Sequence, residues 1–90
     1  MQVLYARCSG LDVHKNSVVA CVMITGTDGQ VQQQTKKFGT FTPDLLALSD
    51  WLTSQQVTHV AMESTGVYWR PIYQLLEGNF EKNDTLYAGK

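Results

Sequence analysis

The sequence predicts one small α/β domain ordered β-β-β-α-β-α, with three antiparallel strands and a fourth strand parallel to one of them. Three observations carry this. Two apolar runs, Val3 to Val13 and Val18 to Ile24, are joined by the short polar stretch His14-Lys15-Asn16-Ser17. An Asp-Gly pair at Asp28-Gly29 then leads into a third, polar run. Finally, a leucine-spaced helix separates this meander from another apolar run, Val57 to Met62, which is the length a parallel crossover needs.

Each element has a local cause. The run Val18-Val19-Ala20-Cys21-Val22-Met23-Ile24 is apolar at both parities, which predicts an interior strand with both faces covered and helices on at least one side. Asp28-Gly29 suits a tight hairpin turn. The run Val31 to Phe38 (VQQQTKKF) is the polar edge strand that should follow, its lysines discouraging pairing with another chain. Thr42-Pro43-Asp44 opens a helix: Thr42 can cap, Pro43 suits the first helical position, and Asp44 faces the positive end of the dipole. Leu45, Leu48 and Leu52 form its apolar stripe, widened by Leu46 and Trp51, and the helix should end near Ser54-Gln55-Gln56. After the strand at Val57 to Met62, Ser64 or Thr65 can cap a second helix bearing Ile72, Leu75 and Leu76. Pro71 leaves two forms open, an irregular turn over Gly66 to Arg70 with the helix starting at Pro71, or a kinked helix. Gly78 stops it. The stretch Asn79 to Lys90 is polar and only weakly strand-like around Thr85-Leu86-Tyr87.

Composition bounds the function. Ninety residues with 43% hydrophobic and 17% charged side chains make an ordinary globular domain. The longest apolar run is far too short for a bilayer and no signal peptide is evident, so a cytoplasmic location without membrane association is expected. Cys8 and Cys21 have no metal-ligand spacing and read as buried free thiols. A formal net charge of −1 offers no autonomous basic stripe for nucleic acid.

Chemistry concentrates at the strand ends. Asp12 closes the first apolar run and Glu63 closes the fourth, so adjacent strands would bring two carboxylates together. Such a pair is a hard oxygen site suited to Mg²⁺ or Mn²⁺ and to phosphodiester chemistry. The structural alternative is equally simple: Asp12 as a turn former and Glu63 as a solvated acid near a helix N-terminus. Tyr68-Trp69-Arg70 is an aromatic and cationic cluster that can stack bases or clamp a backbone, or pack on the core. His14 and Lys15 can reach a phosphate or simply be solvated. His59, before a buried strand, reads as structural. Ser64 and Thr65 lack a nearby histidine base and read as caps rather than nucleophiles.

Two stretches, GLDVHKNSVVACV (Gly10 to Val22) and AMESTGVYWRPIYQLLE (Ala61 to Glu77), resemble the N-terminal domain of the DEDD transposases of bacterial insertion sequences, a group that includes the Piv-type DNA invertases. Glu-Ser-Thr-Gly followed by Tyr-Trp is the specific part, and the resemblance covers Ser9 to Phe80. It implies a ribonuclease H-like (RuvC-like) fold in which four acids hold divalent ions. Asp12 matches the first acid and Glu63 the second, as catalytic and metal-binding residues. Lys15, Tyr68 and Arg70 are the nucleic-acid-binding candidates, with DNA as partner and structured RNA in some full-length relatives. The third and fourth acids are not matched, since neither Glu81 nor Asp84 stands in their context. The expected organisation is therefore a partial catalytic domain over residues 1–80 and a divergent tail over 81–90, inactive alone and a weak binder of Mg²⁺ or Mn²⁺. Without a fifth strand, the edge of strand four would be open, and a homodimer or higher oligomer would form, with Phe80 to Tyr87 pairing on a neighbour's sheet. The competing function is a non-catalytic self-association or protein-interaction module. A fragment of an actin-like or sugar-kinase fold is a third reading, disfavoured because Val13-His14-Lys15 replaces the Gly and Thr expected after the Asp.

Overall fold

The computed structural model describes residues 7–64, 66–77 and 86–89. Its elements are β1 (Arg7–Val13), β2 (Val18–Thr25), β3 (Val31–Phe38), α1 (Thr42–Ser54), β4 (His59–Ser64), α2 (Arg70–Glu77) and β5 (Leu86–Gly89). They form one sheet in the order β3-β2-β1-β4-β5. β1, β2 and β3 are a meander of antiparallel neighbours, and β4 returns through α1 to run parallel to β1. This is the predicted β-β-β-α-β-α order.

The edge of β4 is not open as expected. β5 lies parallel on it, pairing Val60 with Leu86 and Glu63 with Gly89, so residues of the same chain occupy the edge. The sheet thus has five strands, and the remainder of the stretch assigned to intermolecular pairing, 80–85, falls outside the described residues.

The core lies on one face only. Leu11 and Val13 of β1, Val18, Ala20 and Val22 of β2, and Val60 and Met62 of β4 are buried against Leu45, Leu48 and Leu52 of α1 and Ile72 and Leu76 of α2. At about 25 cal/mol per Å² of apolar area, these side chains supply most of the driving force for folding. The expectation that β2 is covered on both faces is corrected. Its other parity, Val19, Cys21 and Met23, is only partly buried, because no helix among the described residues packs there.

Local chemistry accounts for the turns. Gly29 N–H donates to Gly26 O at 3.0 Å and Gly26 N–H to Gln30 O at 2.8 Å. Gly29 alone carries the positive φ of 84°, so the hairpin has a longer turn with a glycine bulge rather than the two-residue type. Phe41, not Thr42, is the N-cap of α1; Thr42 is its first helical residue. Asp44 supplies the cap from within, its carboxylate accepting from Phe41 N–H at 3.3 Å. Gly39 is needed beside it, because a Cβ there would strike the Asp44 carboxylate.

At the other end of α1, Gln56 N–H donates to Thr53 O (2.9 Å) and Val57 N–H to Leu52 O (3.1 Å), a Schellman motif with buried Val57 over Leu52. Val57 therefore belongs to the helix stop, and β4 starts at His59, two residues later than predicted. Arg7 ties this corner down, donating from Nη1 to Gln55 O at 2.8 Å while its own carbonyl accepts from Thr58.

Ser64 is a buried strand residue and does not cap α2. A turn over Gly66 to Trp69, with Gly66 at φ 61°, precedes a helix that begins at Arg70. Pro71 sits in its first turn, where a missing N–H costs nothing. No helix among the described residues is long and apolar enough to cross a membrane.

Candidate metal centre and nucleic-acid interface

The two-residue shift of β4 places Glu63 inside the strand, directly opposite Asp12. Parallel pairing of β1 and β4 runs from Cys8 with His59 to Val13 with Ser64, and Asp12 is the register partner of Glu63. Both are exposed, and both stand on the face away from the helices, since their neighbours Leu11, Val13, Met62 and Ser64 are buried on the other. Adjacent strands are about 4.8 Å apart, so the two carboxylates share one small region of surface. Asp12 and Glu63 are brought together as the sequence predicted.

A groove of about 390 Å³ runs beside them, lined by Gly10, Asp12, Val19, Cys21, Ala61 and Glu63 among others. Its floor lies close to the backbone because Gly10 and Ala61 are the adjacent register pair and carry almost no side chain. A Cβ at Gly10 would meet nothing within 4 Å, so that space is open.

His14 enters from the β1–β2 connection, closed by His14 N–H to Ser17 O at 2.8 Å. Its Nε2 lies 3.2 Å from Asp12 Oδ2, with side chains 49% and 61% exposed respectively. The contact occupies one carboxylate oxygen of Asp12 and leaves the other. Among the described residues, no group of three or more His, Cys, Asp or Glu side chains converges. Two neighbouring carboxylates nevertheless fit a Mg²⁺ or Mn²⁺ ion, because such ions are commonly held by one or two carboxylates, with waters and substrate phosphates completing the shell.

The other candidates are dispersed. Lys15 is exposed in the same connection as His14. Tyr68 is 41% exposed, whereas Trp69 packs against the core and meets Tyr73 edge-on at 5.7 Å. The Arg70 guanidinium lies 5.6 Å from the Trp69 ring, a cation–π contact that orients it. His59 is half-buried at the start of β4, its Nδ1 2.7 Å from the Thr58 hydroxyl. Cys8 and Cys21 are free, partly buried thiols on the acid-bearing face, and burial, then the neighbouring Cys21, pushes the Cys8 thiol up from 9.0.

A mixed sheet ordered β3-β2-β1-β4-β5, with paired acids on adjacent parallel strands, defines a ribonuclease H-like fold. The solved structure of the fowlpox virus Holliday junction resolvase superposes with a TM-score of 0.68 at 10% identity, over 92% of this chain and 60% of that one. The same resolvase with its substrate Holliday junction DNA gives 0.65 at 11% identity, over 92% and 59%. A Ppx/GppA family protein of Aquifex aeolicus gives 0.54 at 9% identity, over 91% and 35%. The chain thus spans about 60% of the resolvase's length. No curated protein matches the sequence significantly. The family model for insertion-sequence-110 DEDD transposases, described as Transposase, matches residues 9–83. The chain belongs to this transposase family.

Proposed function

We propose that this chain forms part of the catalytic domain of a DNA transposase or site-specific recombinase, supplying the first two acids of a divalent-metal centre for DNA strand cleavage and transfer. The register pairing of Asp12 with Glu63 carries this reading. Both carboxylates are ligands for Mg²⁺ or Mn²⁺; when bound, such an ion activates an attacking oxygen and stabilises the leaving one at a phosphodiester. His14 steadies the Asp12 carboxylate through its 3.2 Å contact. Lys15, Tyr68 and Arg70 contact the nucleic acid, DNA foremost and structured RNA where a longer protein carries it.

The test is a Mn²⁺ titration followed by NMR line broadening, on the unsubstituted chain and on Asp12→Ala and Glu63→Ala. Broadening centred on β1 and β4 near the acids, lost in both variants, is the expected result. Broadening scattered over the surface, or unchanged in the variants, would sink the reading.

A second reading, a self-association or protein-interaction module, draws on the helix-free sheet face, where Val19, Cys21 and Met23 are only partly buried. Uncovered apolar surface of this kind favours association. Sedimentation across micromolar concentrations decides: a homodimer or larger species supports it, and a monomer throughout removes it.

A further inference from the structure

The row of side chains that holds the two acids continues across the sheet to β3. Asp12 is paired with Val19, and Val19 with Lys37, with no interruption in either register. Register partners in a sheet share a face, so Lys37, Val19, Asp12 and Glu63 stand in one line on the helix-free side. Two strand spacings put the Lys37 and Asp12 backbones about 10 Å apart. Lys37 is exposed and forms no ion pair among the described residues. Its neighbour Lys36 faces the opposite way: its Nζ lies 5.4 Å from the Phe38 ring and 5.8 Å from the Trp51 ring, on the α1 side. Two adjacent lysines of an edge strand therefore have separate surroundings. One is held over aromatic rings and the other stands over the acid-bearing face. Thr35 and Gln33, both exposed, continue the Lys37 parity along β3.

We propose that Lys37 is a backbone-phosphate contact for the DNA strand engaged at Asp12 and Glu63, with Thr35 and Gln33 extending that contact along the β3 edge. The inference rests on the metal-dependent reading above and adds a binding site to it. The chemistry favours phosphate. A lysine ammonium is a point charge on a flexible stem, suited to a phosphate oxygen rather than to a base edge. Val19, the direct register partner of Lys37, offers no acceptor, and the cation is not ion-paired among the described residues. Neighbouring phosphates of one strand stand further apart in space than the axial rise of about 3.4 Å, so a span of about 10 Å places Lys37 one or two phosphates from the one held at the acids. The groove beside the acids, floored by Gly10 and Ala61, leaves room for the sugar-phosphate engaged at Asp12 and Glu63 to approach the sheet closely.

The test compares Lys37→Gln with Lys36→Gln, two substitutions of equal charge one residue apart. Fluorescence anisotropy with a labelled single-stranded DNA of about 20 nucleotides, in Mn²⁺ and between about 50 and 200 mM salt, reads affinity and its salt slope. Lys37→Gln is expected to weaken binding roughly threefold or more and to lower the slope by about 0.7, the value of one released counterion on a single strand. Lys36→Gln is expected to change neither. Equal losses in both variants, no loss in Lys37→Gln, or no binding by the unsubstituted chain would each overturn the proposal. Mn²⁺ broadening recorded without DNA separates the two ideas. If it localises to the acids while the lysines prove equivalent, only the Lys37 assignment fails; if it is absent while the lysines differ, only the metal reading fails.

Discussion

Asp12 of β1 and Glu63 of β4 are register partners in a parallel strand pair, so two like charges stand side by side on an exposed sheet face. Like charges placed directly opposite in a sheet are destabilising by about 0.2–1 kcal/mol. Glu63→Gln should therefore raise stability by about that amount in a chelator, and should abolish the stabilisation expected of Mn²⁺ in the unsubstituted chain if the ion binds the folded state at the proposed centre. Urea unfolding with and without Mn²⁺ checks both signs. A Glu63→Gln chain less stable in chelator would mean that Glu63 is held by structural contacts instead.

Gln56 closes the Schellman motif with φ 58°, the left-handed region where a side chain costs about 1–2 kcal/mol and glycine does not. Gln56→Gly should stabilise by roughly 0.5 kcal/mol, the gain being reduced by the greater freedom of glycine in the unfolded chain. Leu52, fully buried beneath the same motif, is the opposite case. Leu52→Ala should cost about 2–5 kcal/mol through lost burial and an unfilled cavity. The urea midpoints of the two variants should move in opposite directions, and a destabilised Gln56→Gly would mean that the Gln56 side chain itself matters.

Much of this architecture was legible because its signals are local. Loose alternation exposed β1, an unbroken apolar run β2, polarity marked β3 as an edge, and the leucine spacing of Leu45, Leu48 and Leu52 located α1. Their errors are also physical. Val57 reads as strand because it is apolar and β-branched, yet the positive φ at Gln56 turns it into the helix stop. β5 was legible only as a weak tendency, since four residues in parallel pairing gain their hydrogen bonds from β4 and not from their own pattern. Asp12 and Glu63 were legible as strand-end acids and through the resemblance. Lys37 was read merely as an edge charge, because its place in the acid row depends on the registers of two strand pairs. Alternation along β3 was the available signal: Lys36 and Lys37 had to face opposite sides.

Cys8 makes stability depend on alkaline pH. Burial and the neighbouring Cys21 raise its thiol above 9.0, so the folded state holds this proton more tightly than the unfolded one. Below 9.0 the thiol is protonated in both states and its contribution is fully present. As pH rises past that value and through the raised folded one, the unfolded chain gives up the proton first and stability falls. Cys8→Ser should flatten this decline. Urea midpoints measured upward from pH 9.0 check it, and identical slopes for both chains would show that Cys8 is no more protected folded than unfolded.

Ser9 tests whether the helix-facing side of β1 serves packing alone. It is 3% exposed between the register partners Val22 and Val60, and its Oγ has no hydrogen-bond partner among the described residues. A buried hydroxyl without a partner costs about 1–3 kcal/mol, whereas an alanine there loses little volume. Ser9→Ala should therefore be neutral or stabilising by up to about 1 kcal/mol, unlike the usual core truncation. Because Ser9 faces the helices and not the groove, the same variant should leave Mn²⁺ broadening at Asp12 and Glu63 unchanged. A clear loss of stability would mean that the hydroxyl has a partner in solution, and a change in the Mn²⁺ response would mean that the two faces of β1 are coupled through its backbone.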